Sequence, residues 1–238
     1  MLSVKNLSIG YPMAGALLEG ITITGKGGQL LLVLGSNGIG KSTLLKTLAG
    51  LVPPIAGSIH INGKDMLQAT ASERAVAVSA VFTGRDFDPY ITVGELVALG
   101  RYPHTNWVGR LTTIDQQMID RAIATMGVGH LVNKQVSQIS DGETQKVLIA
   151  KCLAQDSPVI IMDEPTAFLD YKNKAGLLKT IKELCLKEQK LIILSTHDIA
   201  TALPYCNGVL LLSESRKVSY LDEPVANIET VIALLEAP

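Results

Sequence analysis

The chain of 238 residues sets 21 basic against 22 acidic side chains, a formal net charge of −1, and is 47% hydrophobic but only 4% aromatic. That length buries a sizeable core without disulfide or metal staples. Near-neutral charge gives no electrostatic reason to expect a nucleic-acid partner. No apolar block approaches the ~20 residues of a membrane span, and the opening MLSVKNLSIG lacks the charged start and apolar run of a secretion signal. Cys152, Cys185 and Cys206 are spaced for neither a zinc site nor a disulfide framework. The expectation is a soluble α/β protein of a reducing, cytosolic compartment.

The first thirty residues alternate with period two, through Leu2, Val4, Leu7, Ile9 and Tyr11, and are expected to form strands. An apolar strand (29–34), a glycine-rich loop (35–40) and a helix closed by Gly50 follow. GSIHING (57–63) alternates again and ends in Asn62-Gly63, a hairpin turn. AVAVSAVF (75–82) reads as one more strand. From about 84 to 137 the pattern turns helical, with capping boxes expected at Thr92/Glu95 and at Thr113/Gln116. Beyond it lie a helix (142–155), a strand (159–163), a helix (172–188) and strands at 191–195 and 209–212. Such alternation implies a mostly parallel sheet covered on both faces. The predicted fold is therefore an α/β core with an N-terminal antiparallel β layer and a helical insertion.

GSNGIGKST (35–43) fits the spacing G-x-x-x-x-G-K-[ST] between a strand and a helix. Glycines let main-chain amides curl round phosphate oxygens, as Gly35, Ser36, Asn37, Gly38, Ile39, Gly40 and Thr43 would do here. Lys41 can reach terminal phosphates, Ser42 can ligate Mg²⁺, and the helix adds its positive end. VIIMDE (159–164) ends a buried strand in two acids. Asp163 would hold Mg²⁺, and Glu164 would polarise the water attacking the γ-phosphate of a bound nucleotide. His197 follows the strand 191–195 and would reach the same edge as a donor. Together these residues describe a nucleotide hydrolase.

With QISDGETQKVLIAKCLAQDSPVIIMDEPTAFLD (138–170), these motifs resemble the ATP-binding subunits of ABC transporters from Tyr11 to about residue 220. The resemblance implies a P-loop NTPase of the ABC type, one domain over residues 1–238, with a helical subdomain at about 84–155. It implies that Ser140 and Gly142 occupy signature positions, that Tyr11 stacks on adenine, and that His197 is the switch histidine. For Tyr11, an aromatic on a strand face stays open. The implied working unit is a nucleotide-sandwich dimer of two copies, joined to transmembrane permease subunits at the cytoplasmic face of the membrane and served indirectly by a substrate-binding protein. ITVGELVALGRYPHTNW (91–107) and Phe168-Leu169-Asp170 resemble the ATPases of importers for iron-siderophore, haem and vitamin B12.

Four positions, in three departures, break the family pattern. Thr83 stands where a glutamine near Mg²⁺ is usual, Asp141 and Glu143 replace a glycine and a glutamine of the signature, and Thr144 replaces a basic residue. A threonine hydroxyl needs a bridging water to span the same gap. Carboxylates beside a triphosphate repel it unless they face a base or a partner's backbone. Three rivals stand beside the importer reading: an ATPase for another substrate or an exporter, a soluble ABC-type ATPase acting on DNA or ribosomes, and a P-loop kinase of small metabolites.

Overall fold

The computed structural model describes residues 1–11, 15–82, 84, 87–222, 229, 231 and 233. Three buried apolar runs form its centre: β3 (Leu30–Leu34), β7 (Val159–Met162) and β8 (Leu191–Ser195), with no exposed residue in any of them. Strands without a polar face need cover on both sides, and that is what they receive. They join β6 (Val78–Val81), β9 (Gly208–Leu212) and β10 (Val218–Asp222) in a six-stranded sheet of order β10-β9-β3-β8-β7-β6. All of its pairings are parallel except that of β10 with β9.

Alternate residues of these strands feed two cores. Leu30, Leu32, Ile160, Met162, Ile192 and Leu194 pack with residues of α3 (Val93–Ala98), α4 (Thr113–Met126), α5 (Asp141–Ala154) and α6 (Tyr171–Glu188). Leu31, Val33, Ile161 and Ile193 face the other way, onto α1 (Lys41–Leu48) and a second sheet. That sheet is antiparallel, of order β2-β1-β4-β5, from β1 (Leu2–Tyr11), β2 (Gly15–Gly25), β4 (Ala56–Ile61) and β5 (Lys64–Asp65). The Asn62-Gly63 turn joins β4 to β5, with both residues at positive φ.

Two local expectations are corrected. The stretch 75–82 is not a single strand: α2 (Ala71–Ala77) occupies its first half, and only Val78–Val81 pairs in the sheet. A capping box at Thr70 decides this, because its hydroxyl accepts from Glu73 N while the Glu73 carboxylate takes Thr70 N–H at 2.8 Å. The second insertion box is built on Thr112 and Asp115, one residue earlier than Thr113 and Gln116. Its acid is buried, and a reason lies next to it.

Arg101, in the 3₁₀ turn 99–104, donates to Asp115 Oδ1 at 2.9 Å and to the Ala154 carbonyl at 2.7 Å, with both charged side chains buried. Gly100 lies so close to the Lys151 carbonyl that a β-carbon would come within 2.2 Å of it. His104 Nε2 meets the Gln155 carbonyl at 2.8 Å, and the Gln155 amide reaches the Val78 carbonyl at 3.0 Å. The GRYPH segment (100–104) thus ties α4 and the end of α5 together, and Gln155 fastens that knot to the sheet. Among the described residues no helix is long and apolar enough to cross a membrane.

Hydrogen bonds from Thr112, and then from Arg101, hold the Asp115 carboxyl down at about 2. Its unfolded value is ~3.9, so its share of stability is complete above roughly pH 4 and is lost as pH falls through about 2. Asp115→Ala leaves Arg101 buried without its counter-charge, at a cost of about 3 kcal/mol. Thermal unfolding at neutral pH should show a Tm lower by roughly 6–12 °C, and the deficit should shrink in acid.

Candidate functional site

Parallel pairing settles where the chemistry-bearing residues meet. Because β3, β8 and β7 are neighbours running the same way, the loops after them leave one edge of the sheet side by side. Adjacent strands lie ~4.8 Å apart, so the outer two loops are about 10 Å apart with the third between them. Such an edge is where open α/β sheets take their ligands.

After β3 the chain turns through 35–40 into α1. Gly38 and Gly40 have φ of 78° and 114°, a region L side chains rarely adopt, and Gly40 caps the helix. The Lys41 ammonium is folded onto this loop, donating to the carbonyls of Gly35 at 2.8 Å and Ser36 at 3.0 Å. Desolvation lowers its pKa, while Glu164 and Asp163 pull the other way. Ser42 is exposed on the first turn, and Thr43 is buried behind it. Ile39 packs against the core instead of facing outward.

After β7 come Asp163 and Glu164. Asp163 is buried, with its backbone N–H on the Val81 carbonyl at 2.8 Å. Glu164 follows at φ 52°, a left-handed conformation for a non-glycine residue. Burial pushes its carboxyl above the ordinary carboxylate range; His197 pulls it back and Asp163 adds to the rise. Its Oε1 lies 3.0 Å from His197 Nε2, yet that buried oxygen has no aligned hydrogen-bond donor. His197 itself is exposed, and the next residue, Asp198, caps α7 (Ile199–Ala202) and pairs with Lys174 at 3.2 Å.

One cavity of about 240 Å³ gathers these groups: Asn37, Gly38, Gly40, Lys41, Ser42, Thr43, Asp163, Glu164 and His197 line it. Leu17 of β2 lines it as well, and alternation along a strand gave no sign of that. Tyr11 stands at the end of β1, nearly half exposed, outside this lining. Ser140 and Gly142 are also outside it. Ser140 caps α5, where the Glu143 carboxylate takes its N–H at 2.8 Å and its hydroxyl at 2.9 Å. Those bonds hold Glu143 below the usual carboxylate range. Thr144 is buried, its hydroxyl on the Ser140 carbonyl at 3.0 Å. Thr83 lies outside the described residues.

The donor set suits a small hard cation. Asp163 offers carboxylate oxygen and Ser42 a hydroxyl in the same cavity, and Mg²⁺ takes one or two such ligands, completing its shell from phosphates and water. Among the described residues no group of three or more His, Cys, Asp or Glu side chains is placed to hold a metal.

The family model for ABC transporters matches residues 18–167. The cobalamin import ATP-binding protein of Halobacterium salinarum is 35% identical over 218 residues, covering 90% of this chain and 53% of that one. The ferric enterobactin transport ATP-binding protein of Escherichia coli is 31% identical over 215 residues, covering 90% and 79%. Among solved structures, cbiO1 from Clostridium perfringens, part of the ABC transporter complex cbiONQ, superposes with a TM-score of 0.81 at 28% identity over 98% of this chain and 93% of that one. Strand order, loop geometry and sequence agree, and the chain belongs to the ABC transporter family as an ATP-binding and ATP-hydrolysing subunit.

Proposed function

We propose that residues 1–238 act as one ATPase domain, with a helical subdomain inserted at about 84–155, that powers a membrane importer for an iron-siderophore, haem or a corrinoid. The observation that carries this reading is the convergence of Lys41, Ser42, Asp163, Glu164 and His197 on one cavity at the edge of β3, β8 and β7. The names of the cobalamin and ferric enterobactin relatives support the substrate class, as does the GRYPH segment. An exporter role, or a soluble ATPase outside transport, draws no comparable support from the helical segment or the relatives.

Main-chain amides of 35–43 and the start of α1 bind the triphosphate. Lys41 is already at the loop and exchanges carbonyl partners for phosphate oxygens. Ser42 and Asp163 would hold Mg²⁺, with Thr83 the third residue assigned to it, and the ion would supply neutralisation of the triphosphate charge. Glu164 orients and polarises the attacking water, and its burial strengthens it as a base. His197 steadies that carboxylate and donates toward the γ-phosphate. Tyr11 would stack on adenine.

Ser140 and Gly142 lie off their own chain's cavity, which supports a sandwich in which a second copy supplies them to the facing phosphates. The Glu143 charge is spent on the Ser140 cap, which tempers its repulsion toward a nucleotide. The pair would sit on permease subunits at the cytoplasmic face of the membrane, with a substrate-binding protein feeding the far side.

Titration calorimetry should show ATP uptake by the purified chain and at least a tenfold loss for Lys41→Ala, the effect of removing a hydrogen-bonded charge of about 1.5–3 kcal/mol. Glu164→Gln should bind ATP and persist as a dimer on sizing chromatography, whereas a monomer throughout would remove the sandwich. Co-expressed with its permease in proteoliposomes, the chain should drive uptake of a ferric chelate or a corrinoid; ATP turnover unaffected by any of these cargoes would redirect the substrate class.

A further inference from the structure

Strand β8 runs between the strand that carries the phosphate loop and the strand that ends in the two acids. Its last residue is Ser195, fully buried. In the ladders Ser195 is opposite Val33, and Leu194 is opposite Met162, so the next step along brings Ser195 beside Asp163. Its hydroxyl has one proton and two lone pairs. The proton goes to Asp163 Oδ1 at 2.6 Å, and a lone pair accepts the Glu164 N–H at 3.0 Å.

From this double engagement we propose that Ser195 is a positioning residue that sets the metal-binding acid and the water-polarising acid as a unit. This rests on the nucleotide-site reading above. By occupying Oδ1, the hydroxyl fixes the rotation of the Asp163 carboxylate at the wall of the cavity. By accepting the Glu164 N–H, it holds a residue whose φ of 52° needs outside support. Alanine at 195 removes both restraints, and it leaves a backbone N–H and a buried carboxylate oxygen to find other partners. The acids would remain in the cavity, but no longer at a fixed angle to the cation or to each other. Ser195 itself need touch neither phosphate nor metal.

The test uses the purified chain with ATP, read by calorimetry with EDTA and then with Mg²⁺, and by steady-state hydrolysis. For Ser195→Ala, affinity with EDTA should stay near the wild-type value. The gain in affinity on adding Mg²⁺ and the kcat should each fall roughly tenfold, the scale for losing an outer-shell partner of a metal ligand. KM should move far less than kcat, and Ser195→Thr, which keeps a hydroxyl, should restore both losses. A Ser195→Ala protein with an undiminished Mg²⁺ gain and kcat overturns the proposal. So does one that loses affinity equally with EDTA, or a threonine variant that rescues nothing. Absence of ATP uptake by the wild-type chain would instead overturn the underlying nucleotide-site reading, and the proposal with it.

Discussion

Parallel pairing of β3, β8 and β7 is the constraint from which the pocket follows. None of these strands has a water-facing side, so none can shift register or leave the sheet without exposing several leucines and isoleucines. The loops after them inherit that rigidity. Lys41, the acid pair and His197 come from segments far apart in the chain and still meet, because their strands are neighbours in space. Backbone that would be costly elsewhere, such as the left-handed Glu164, is affordable at such an edge.

Hydrogen bonding and burial set the two adjacent acids apart. Asp163 keeps a serine hydroxyl as its donor, while Glu164 is half-buried with an oxygen that no donor satisfies. Two acids one residue apart therefore differ in environment as much as two acids in different proteins. The same logic shapes the start of α5, where Glu143 is drawn back onto its own helix cap.

Much of this was readable from residues. Buried strands announce themselves as LLLVL and VIIM, and the glycine spacing before Lys41 leaves little choice of loop. The acids and the histidine each follow such a strand, so a common edge could be anticipated. What escaped has physical reasons. Alternation in AVAVSAVF suits a strand, and Thr70 with Glu73 overrode it through capping. The second box slid by a residue because buried Asp115 answers to Arg101 as well as to its threonine. Leu17 and Ser195 are a plain strand residue and a strand-end serine; only the sheet's three-dimensional order gives them their neighbours. Arg101 and His104 stand out in the sequence as marks of a subfamily, but the bonds they make to the end of α5 need the fold to bring Ala154 and Gln155 beside them.

The knot of Arg101, His104 and Gln155 has a mechanical meaning. It joins the 3₁₀ turn, the far end of α5 and the root of β6 by short polar bonds, while Ser140 sits at the opposite end of the same α5 rod of 14 residues. The position of Ser140 is thereby tied to that of the turn around Tyr102 through one helix about 20 Å long.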